Sequence, residues 1–338
     1  MQTLTTTLAL LAAAAAVSAA GGANPPADAP QPVAETPPWA TEDLRAGIIG
    51  TDTSHVPAFT GLLARHPEWR VKVVAAFKGG SPDIPSSASR VDKYAKQLRD
   101  QFGVEIVPTI DALLEKVDVA LIESVDGRPH LEQARPVFAA GKPCFIDKPF
   151  TAGLAEAREI VRLAKETGTP FFSCSCARFQ PEIAALRRDA GVGKVTKVQG
   201  SSPLHIEPHH PDLFWYGIHG VEALYTVMGP GCVSVNRKAE GDFDITTGQW
   251  KDGRVGVFRG VRKGDYKPIV TVWGEKGTVR TDKPFSYNGL VRTMAEFFHT
   301  RKAPVDPAET LEIIEFMTAA QRSGERGGAE VRLDELRR

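Results

Sequence analysis

The most unusual group of chemistry-bearing residues is a histidine-rich run at residues 205–212, which reads His-Ile-Glu-Pro-His-His-Pro-Asp. If this run begins as an extended strand, the side chains of His205, Glu207 and His209 project to one side. Two imidazoles and one carboxylate could bind a divalent metal. The same side chains could instead bind sugar hydroxyls or belong to a solvated polar loop. The two prolines of the run, Pro208 among them, argue against a regular strand.

A second group of candidate residues, 50–55, follows the first predicted strand and reads Gly-Thr-Asp-Thr-Ser-His. A dinucleotide site uses a three-glycine turn here, because bare backbone approaches the pyrophosphate at a helix N-terminus. Only the first glycine is present, and Asp52 and His55 stand at the other two positions. Asp52 brings negative charge toward the place of a pyrophosphate. The candidate cofactor-binding residues of this turn are Gly50, Thr51, Asp52, Ser54 and His55, and Asp147 and Lys148, further along the chain, are candidates for the same role.

The end of the second predicted strand offers a further cofactor candidate. An acidic residue that holds the ribose hydroxyls is expected there, but the sequence has Lys78 followed by two glycines. Lys78 could pair with a 2′-phosphate, which would favour NADP. The alternative is a solvated lysine at a strand end.

Two further segments carry residues suited to proton transfer. Asp147, Lys148 and Pro149 follow a predicted parallel strand, at the edge where open α/β sheets present ligands. An ammonium beside a carboxylate can stabilise an alkoxide or enolate, although a surface lysine before a turn proline is the alternative. His219 suits general acid and base work because imidazole titrates near neutrality, unless it is a hydrogen-bonded core residue.

Composition limits the classes of partner. The chain has 338 residues, with 41 Lys plus Arg and 41 Asp plus Glu, so no bulk charge favours nucleic acid or a membrane surface. Its length and 42% hydrophobic content predict two domains with separate cores. The four cysteines are expected to be buried free thiols: Cys144, Cys174, Cys176 and Cys232.

The first 40 residues are expected to lie outside the folded body. Residues 1–23 carry no charged side chain and contain an apolar run at 8–17, which is typical of a cleaved secretory signal. We therefore expect export to the periplasm or medium, without a lipid or membrane anchor. An Ala-rich tail on a cytoplasmic enzyme is the alternative. The proline-rich residues 24–40 predict an extended linker.

Apolar runs and helical patterns alternate through residues 41–150, which predicts a Rossmann-like, doubly wound parallel sheet. The predicted strands are 46–49, 71–77, 104–107, 119–122 and 143–146, and a further helix and strand are predicted at 154–167 and 171–176. Residues 151–338 contain strands without helices between most of them, which predicts a mostly antiparallel open sheet in an α+β domain. The strands expected there include 195–200, 255–261, 269–273 and 277–281, followed by a helix at 307–322.

Several short motifs, in order and spacing, resemble the Gfo/Idh/MocA family of sugar and polyol oxidoreductases. They are Ala46 to Gly50, Asp118 to Ile122 with Gly127 to His130, Gly141 to Pro149, Arg178 to Pro181, Gly217 to His219 and Gly274 to Gly277. The resemblance implies an N-terminal domain that binds NAD or NADP and a sugar site between it and the open sheet, which often pairs with another subunit. A homo-oligomer is therefore expected.

The resemblance also assigns roles. Lys148 matches the lysine that contacts the substrate hydroxyl, with Asp147 beside it, and His219 matches the catalytic histidine. The family's acidic residue four positions earlier is replaced by Trp215, so Glu222 is the candidate to orient His219. The candidate substrate contacts are His130, Arg178, His205, His209, Trp215, Tyr216 and Glu222.

These residues leave three hypotheses open. The first is an oxidoreductase that acts on a sugar, polyol or glycoside with NAD or NADP. The second is a hydrolase or lyase that acts on oxidised glycosides without a redox step, through Asp52, His55, Lys148 and the histidine run. The third is a non-catalytic sugar-binding protein.

Overall fold

The computed structural model describes residues 35–263 and 268–337. Within them, the chain from Thr36 onward forms one compact unit. The predicted signal segment and most of the predicted linker lie outside the described residues. Among the residues described, no helix is long and apolar enough to cross a membrane.

Strands and helices alternate through the first half of the chain. The elements are β1 (Leu44–Ile49), α1 (His55–Arg65), β2 (Val71–Phe77), α2 (Pro85–Ala88), α3 (Val91–Phe102), β3 (Glu105–Val107), α4 (Ile110–Leu114), β4 (Val119–Ile122), α5 (His130–Ala139), β5 (Cys144–Ile146), α6 (Leu154–Thr167) and β6 (Phe171–Ser173). The six strands form one parallel sheet in the order β3-β2-β1-β4-β5-β6. The predicted doubly wound sheet is confirmed.

Both faces of this sheet are buried, which is why its strands are continuous apolar runs rather than alternating ones. Ile48, Leu121 and Phe145 pack in one core cluster. Ile122 and Ile146, their neighbours along the strands, pack in the other. The sheet therefore holds the carboxyl ends of β1, β4 and β5 rigidly side by side.

The predicted boundary at residue 150 falls inside the parallel sheet, because β6 also belongs to it. The strand predicted at 171–176 ends at Ser173. Ser175 then caps a short 3-10 helix (Cys176–Phe179), and its hydroxyl accepts a hydrogen bond from the amide of Ala177 at 3.2 Å. All four cysteines are buried and free, as predicted.

The second half is built on a seven-stranded sheet. Its elements are α7 (Pro181–Arg188), β7 (Val195–Pro203), α8 (Asp212–Trp215), α9 (Ile218–Met228), β8 (Cys232–Glu240), β9 (Phe243–Trp250), β10 (Val255–Val261), β11 (Ile269–Gly274), β12 (Gly277–Thr281), α10 (Asn288–Thr300), α11 (Pro307–Glu325) and β13 (Val331–Arg332). The order is β12-β11-β7-β10-β9-β8-β13, and every described pair is antiparallel except β7 with β10. The mostly antiparallel sheet is confirmed.

Helix α9 lies directly on this sheet through a glycine contact. A Cβ atom on Gly200 of β7 would collide with the carbonyl oxygen of Gly220 in α9. The bare backbone at Gly200 therefore lets the first turn of α9, which carries His219, approach the sheet closely.

Helix α10 returns to the first half of the chain. Leu290, Val291, Met294 and Phe297 pack in the same core cluster as Ile48 of β1. The chain thus crosses from the antiparallel sheet back to the parallel one, and the residues just before α10 lie beside α1.

Candidate active site

A cavity of about 380 Å³ lies between the two halves of the chain. The first half contributes Ser54, His55 and Lys148, and the second half contributes Tyr216 and His219. A larger cavity of about 600 Å³ lies at the opposite edge, beside the first residues of β1 and β2. Parallel sheets bind ligands at the carboxyl ends of their strands, so the smaller cavity is the candidate active site.

His55 and Asp147 form a buried pair in the wall of this cavity. His55 is the first residue of α1 and Asp147 follows β5, and the His55 Nδ1 and Asp147 Oδ2 atoms are 2.5 Å apart. The other oxygen of Asp147 accepts a hydrogen bond from the amide of Lys148 at 2.7 Å. Burial would raise the pKa of the Asp147 carboxyl, but the close contact with His55 and the charge and amide of Lys148 together lower it. Asp147 is therefore a carboxylate that orients the imidazole.

Two aromatic rings fix the plane of the His55 imidazole. The ring stacks on Phe59 with centroids 4.8 Å apart, and Tyr287 meets it edge-on at 4.9 Å. Because Nδ1 is engaged by Asp147, Nε2 is the nitrogen left for a ligand in the cavity.

Lys148 lies where the sequence predicts it, in the wall of the cavity. Its side chain is only 8% exposed, and Nζ is 5.8 Å from the centroid of the Tyr216 ring. No carboxylate forms an ion pair with this ammonium within residues 35–263 and 268–337. The charge is thus available to an oxygen of a bound substrate.

His219 faces the same cavity from α9. Its Nδ1 atom is 2.7 Å from the hydroxyl oxygen of Ser175. Desolvation, followed by the positive charge of Lys148, holds the pKa of His219 well below its ordinary value. The imidazole is neutral at pH 7, so it can accept a proton from a substrate. Ser175, rather than the predicted Glu222, orients it.

The prediction that Arg178 and Glu222 contact substrate is wrong. The Arg178 Nε atom donates to Glu222 Oε2 at 2.8 Å, and Nη1 donates to Glu309 Oε1 at 2.6 Å. All three side chains are buried where the 3-10 helix, α9 and α11 meet. Glu222 lies on the face of α9 turned toward α11, so this ion-pair network joins helices instead of lining the site.

His130 is also structural. Its ring nitrogens lie 3.0 Å from the carbonyl oxygen of Phe150 and 2.9 Å from that of Ser124. The ring is fully buried, and burial lowers its pKa. His130 therefore ties together the loops that follow β4 and β5 and does not meet substrate.

The histidine-rich run is a loop rather than an extended strand, so His205, Glu207 and His209 do not project to one side. His205 meets the Tyr216 ring edge-on at 4.9 Å and lines the cavity. Glu207 turns back to His209, with Oε1 2.6 Å from Nδ1, outside the cavity. In the described part of the chain, no group of three or more His, Cys, Asp or Glu side chains is placed to hold a metal ion.

The two aromatic residues predicted to contact substrate lie at the cavity. Trp215 and Tyr216 both line the cavity, and Tyr216 is 37% exposed, so its ring can contact a ligand. Trp215 is buried beside His210, with ring centroids 4.9 Å apart.

The turn at residues 50–55 stands in place of the three-glycine motif, and it buries the side chain of its own Asp52. Asp52 is fully buried, and its carboxylate accepts hydrogen bonds from the Val125 amide at 3.0 Å and the Ser87 hydroxyl at 2.6 Å. Burial raises the pKa of Asp52, and these hydrogen bonds oppose the rise. Gly50 adopts φ 92°, where a Cβ would collide with Ser124.

The segment between β2 and α3 covers this turn. Ser81 bonds to Asp126 and, through its amide, to the Ser87 hydroxyl at 2.7 Å. Ile84 is fully buried against Val125 and Trp215. The segment therefore lies over the carboxyl ends of β1, β2 and β4.

A dinucleotide in the usual Rossmann position must touch the backbone of the first turn. Here Thr51 and Asp52 have no exposed surface. Lys78 lies on the surface and pairs with Asp92 at 2.6 Å, away from the cavity. The residues present at this turn do not fit NAD or NADP in that position.

Sequence reasoning missed residues that line or support the site and a buried carboxyl group that feels the charge of Asp147. Ser175, Tyr287 and Arg90 line or support the cavity, and no local motif marks them. Glu123, at the end of β4, is fully buried with neither carboxyl oxygen hydrogen-bonded within the described structure. Desolvation and the charge of Asp147 raise its pKa well above the ordinary value. Its place after a strand end was the signal that could have drawn attention to it.

The sequence of this chain is similar to those of known oxidoreductases. Residues 44–174 match the family described as an oxidoreductase family with an NAD-binding Rossmann fold, Gfo/Idh/MocA. The chain is 23% identical over 267 residues to the dTDP-3,4-didehydro-2,6-dideoxy-alpha-D-glucose 3-reductase of Streptomyces antibioticus, covering 72% of this chain and 76% of the relative. It is also 23% identical over 289 residues to the inositol 2-dehydrogenase of Rhizobium meliloti, covering 75% and 86%.

A solved structure shares the whole fold. The scyllo-inositol dehydrogenase of Lactobacillus casei, determined with NAD(H) and scyllo-inositol, superposes with a TM-score of 0.71 at 14% identity, covering 86% of this chain and 99% of that one. Residues 44–174 thus match the NAD-binding Rossmann domain of the Gfo/Idh/MocA oxidoreductase family, and the described chain shares the fold of that dehydrogenase.

Proposed function

We propose that the chain is an enzyme that binds a sugar or polyol in the 380 Å³ cavity and moves a proton at one of its oxygens. The observation that carries this proposal is the meeting of Lys148 and His219 in one cavity wall. A neutral His219 accepts the proton of a substrate hydroxyl. The Lys148 ammonium stabilises the oxygen that loses it.

The shape of the cavity supports a carbohydrate-sized ligand. Its volume lies within the range of small-molecule sites. Tyr216 offers an exposed aromatic face, and His205 and Ser54 offer hydrogen-bonding groups around it. The relatives support the same class of ligand, because they are named for a deoxysugar and for inositol.

In the family, NAD or NADP supplies hydride transfer. Since the buried turn at Asp52 does not fit that cofactor in its usual position, we assign to this chain only the proton movement that its own residues can perform.

Calorimetric titration of the full chain with myo-inositol, scyllo-inositol and glucose tests the proposal. We expect binding to at least one of them, weakened at least tenfold by Lys148→Met and by His219→Asn. Lys165→Met, on the exposed face of α6, is the matched control and should bind like the wild type. Absence of binding to all three, or binding that ignores both cavity substitutions, would overturn the proposal.

We also propose that the protein is exported. The uncharged, apolar start of the chain supports this location. Cell fractionation with N-terminal sequencing tests it: export predicts a mature protein cleaved near residue 23, and an uncleaved cytoplasmic protein contradicts it.

We further propose a homo-oligomer formed through the outer face of the seven-stranded sheet. Alternate residues of β9, including Phe243 and Ile245, are half-exposed there. Sedimentation should give a dimer or larger species, and Ile245→Asp should dissociate it, whereas a monomeric wild type would contradict this.

A further inference from the structure

We propose, building on the sugar site above, that His55 is the base of a redox-neutral reaction in which a proton leaves the carbon beside the carbonyl of an oxidised sugar. The substrate class is a ketosugar or keto-polyol. The enolate that forms is stabilised by Lys148.

The geometry of His55 is that of a base held in place. Asp147 holds Nδ1 at 2.5 Å, Phe59 and Tyr287 hold the ring plane, and the imidazole lines the cavity. A carboxylate on Nδ1 fixes the tautomer in which Nε2 is free to accept, and it stabilises the imidazolium that results. An imidazole that only filled space would not need a buried carboxylate partner.

Burial of the turn argues for a reaction that needs no hydride acceptor. Thr51 and Asp52 are both fully buried, and the Asp52 carboxylate already accepts from the Val125 amide. The turn is thereby sealed from a pyrophosphate, and the third position of the motif carries His55 instead of glycine. In other Rossmann domains a glycine at the start of the first helix allows the cofactor to approach. This chain has His55 there, and His55 forms a proton-transfer pair with Asp147.

The chemical step balances without an oxidant. The C–H bond beside the carbonyl breaks, and its proton passes to Nε2 of His55. The electron pair of that bond forms a C–C double bond, and the carbonyl oxygen becomes an enolate oxygen beside the Lys148 ammonium. The proton then returns to carbon from the imidazolium of His55.

The carbonyl is required because only then does the electron pair have an oxygen to receive it. The imidazole of His55 and the ammonium of Lys148 line a single cavity and provide a proton carrier and a group that stabilises the oxyanion. The reaction that supplies this substrate must therefore be an oxidation of a sugar hydroxyl to a ketone.

Exchange of substrate protons with solvent tests the proposal. The full chain is incubated in D2O, without added cofactor, with 2-keto-myo-inositol and with methyl 3-keto-β-glucoside. Proton NMR then follows the loss of the signals beside the carbonyl. We expect the wild type to accelerate this exchange for at least one ketone, and His55→Asn to reduce the acceleration by about 100-fold or more.

Two further variants separate a chemical role from a structural one. His55→Gly should lose exchange and regain part of it when imidazole is added, which a merely structural defect would not do. His66→Asn, just after α1, is the matched control and should exchange like the wild type. Circular dichroism checks that each variant is folded.

The outcomes distinguish this inference from the proposed function. If the ketones bind but exchange is absent in the wild type, or equal in His55→Asn, the inference is overturned and the sugar site stands. If hydride passes from a polyol to added NAD or NADP, the inference is again overturned. If neither polyols nor ketones bind, the proposed function fails as well.

Discussion

The Nδ1 atom of His55 and the Oδ2 atom of Asp147 lie 2.5 Å apart, and they join the first turn of α1 to the end of β5. The two residues are 92 positions apart in the sequence. The parallel sheet brings them together because the carboxyl ends of β1 and β5 lie at the same edge. This pair gives the first testable consequence of the structure.

Replacing Asp147 by Asn should cost about 100-fold to 10,000-fold in the exchange rate, because an amide cannot stabilise the imidazolium of His55. The side chain keeps its volume, so the fold should survive. NMR exchange rates measure the effect. Asp92→Asn removes a surface partner of Lys78 and serves as the control. A rate within threefold of the wild type in Asp147→Asn would refute the role assigned to the pair.

The charge of Lys148 should contribute to the low pKa of His219. Lys148→Met should therefore raise the pKa of His219 toward its ordinary value. NMR titration of the His219 ring measures this shift, with Lys165→Met as control. An unchanged pKa in Lys148→Met would show that desolvation alone keeps His219 neutral.

The low pKa of His219 also has a consequence for stability. Because the folded pKa is below the unfolded one, the unfolded chain takes up this proton first as the pH falls below about 6.5. His219 thus makes the free energy of unfolding fall with acidification below that point. His219→Asn should remove this contribution, which urea unfolding between pH 4 and pH 8 would detect; an unchanged slope would contradict it.

The Arg178 network should dominate the stability of the junction between α9 and α11. Arg178→Met leaves Glu222 and Glu309 buried without their partner, and we expect a loss of about 3–5 kcal/mol in the free energy of unfolding. Arg162→Met removes an exposed ion pair on α6 and should cost less than about 1 kcal/mol. Urea unfolding compares the two, and equal losses would contradict the argument.

Glu123 should make the protein less stable as the pH rises. The folded state holds its proton above the pH at which the unfolded chain releases it, so the free energy of unfolding falls above pH 4.5. Glu123→Gln should remove this slope, so that the free energy of unfolding no longer falls between pH 4.5 and pH 8 through this group. Glu132→Gln, on the exposed side of α5, is the control. Parallel pH profiles for wild type and Glu123→Gln would disprove the assignment.

Much of the fold could be predicted because its signals are local. The helix predicted at 154–167 matches α6 and ends at Gly168, where φ is 65°, and the strand predicted at 255–261 matches β10. Continuous apolar runs indicated a parallel sheet, and the loss of intervening helices indicated the antiparallel one. The carboxyl ends of strands then located Asp147 and Lys148.

The partners of polar side chains could not be predicted in the same way. His130, Arg178 and Glu222 have residue types suited to a site, but each is satisfied by a partner inside the fold. Ser175 supports His219 from 44 positions away. Which of two buried polar residues faces a cavity depends on packing between helices, and a single sequence does not specify that packing.

The return of α10 to the first core has a consequence for how this protein can change. Leu290 and Phe297 are part of the core built on β1, and Tyr287, just before them, stands against His55. A fragment that ends before residue 288 would lack α10, whose side chains belong to the core of the first half. It would also lose the contacts of this segment at the active site. Separating the two halves should therefore destabilise the first half and disrupt the site at the same time.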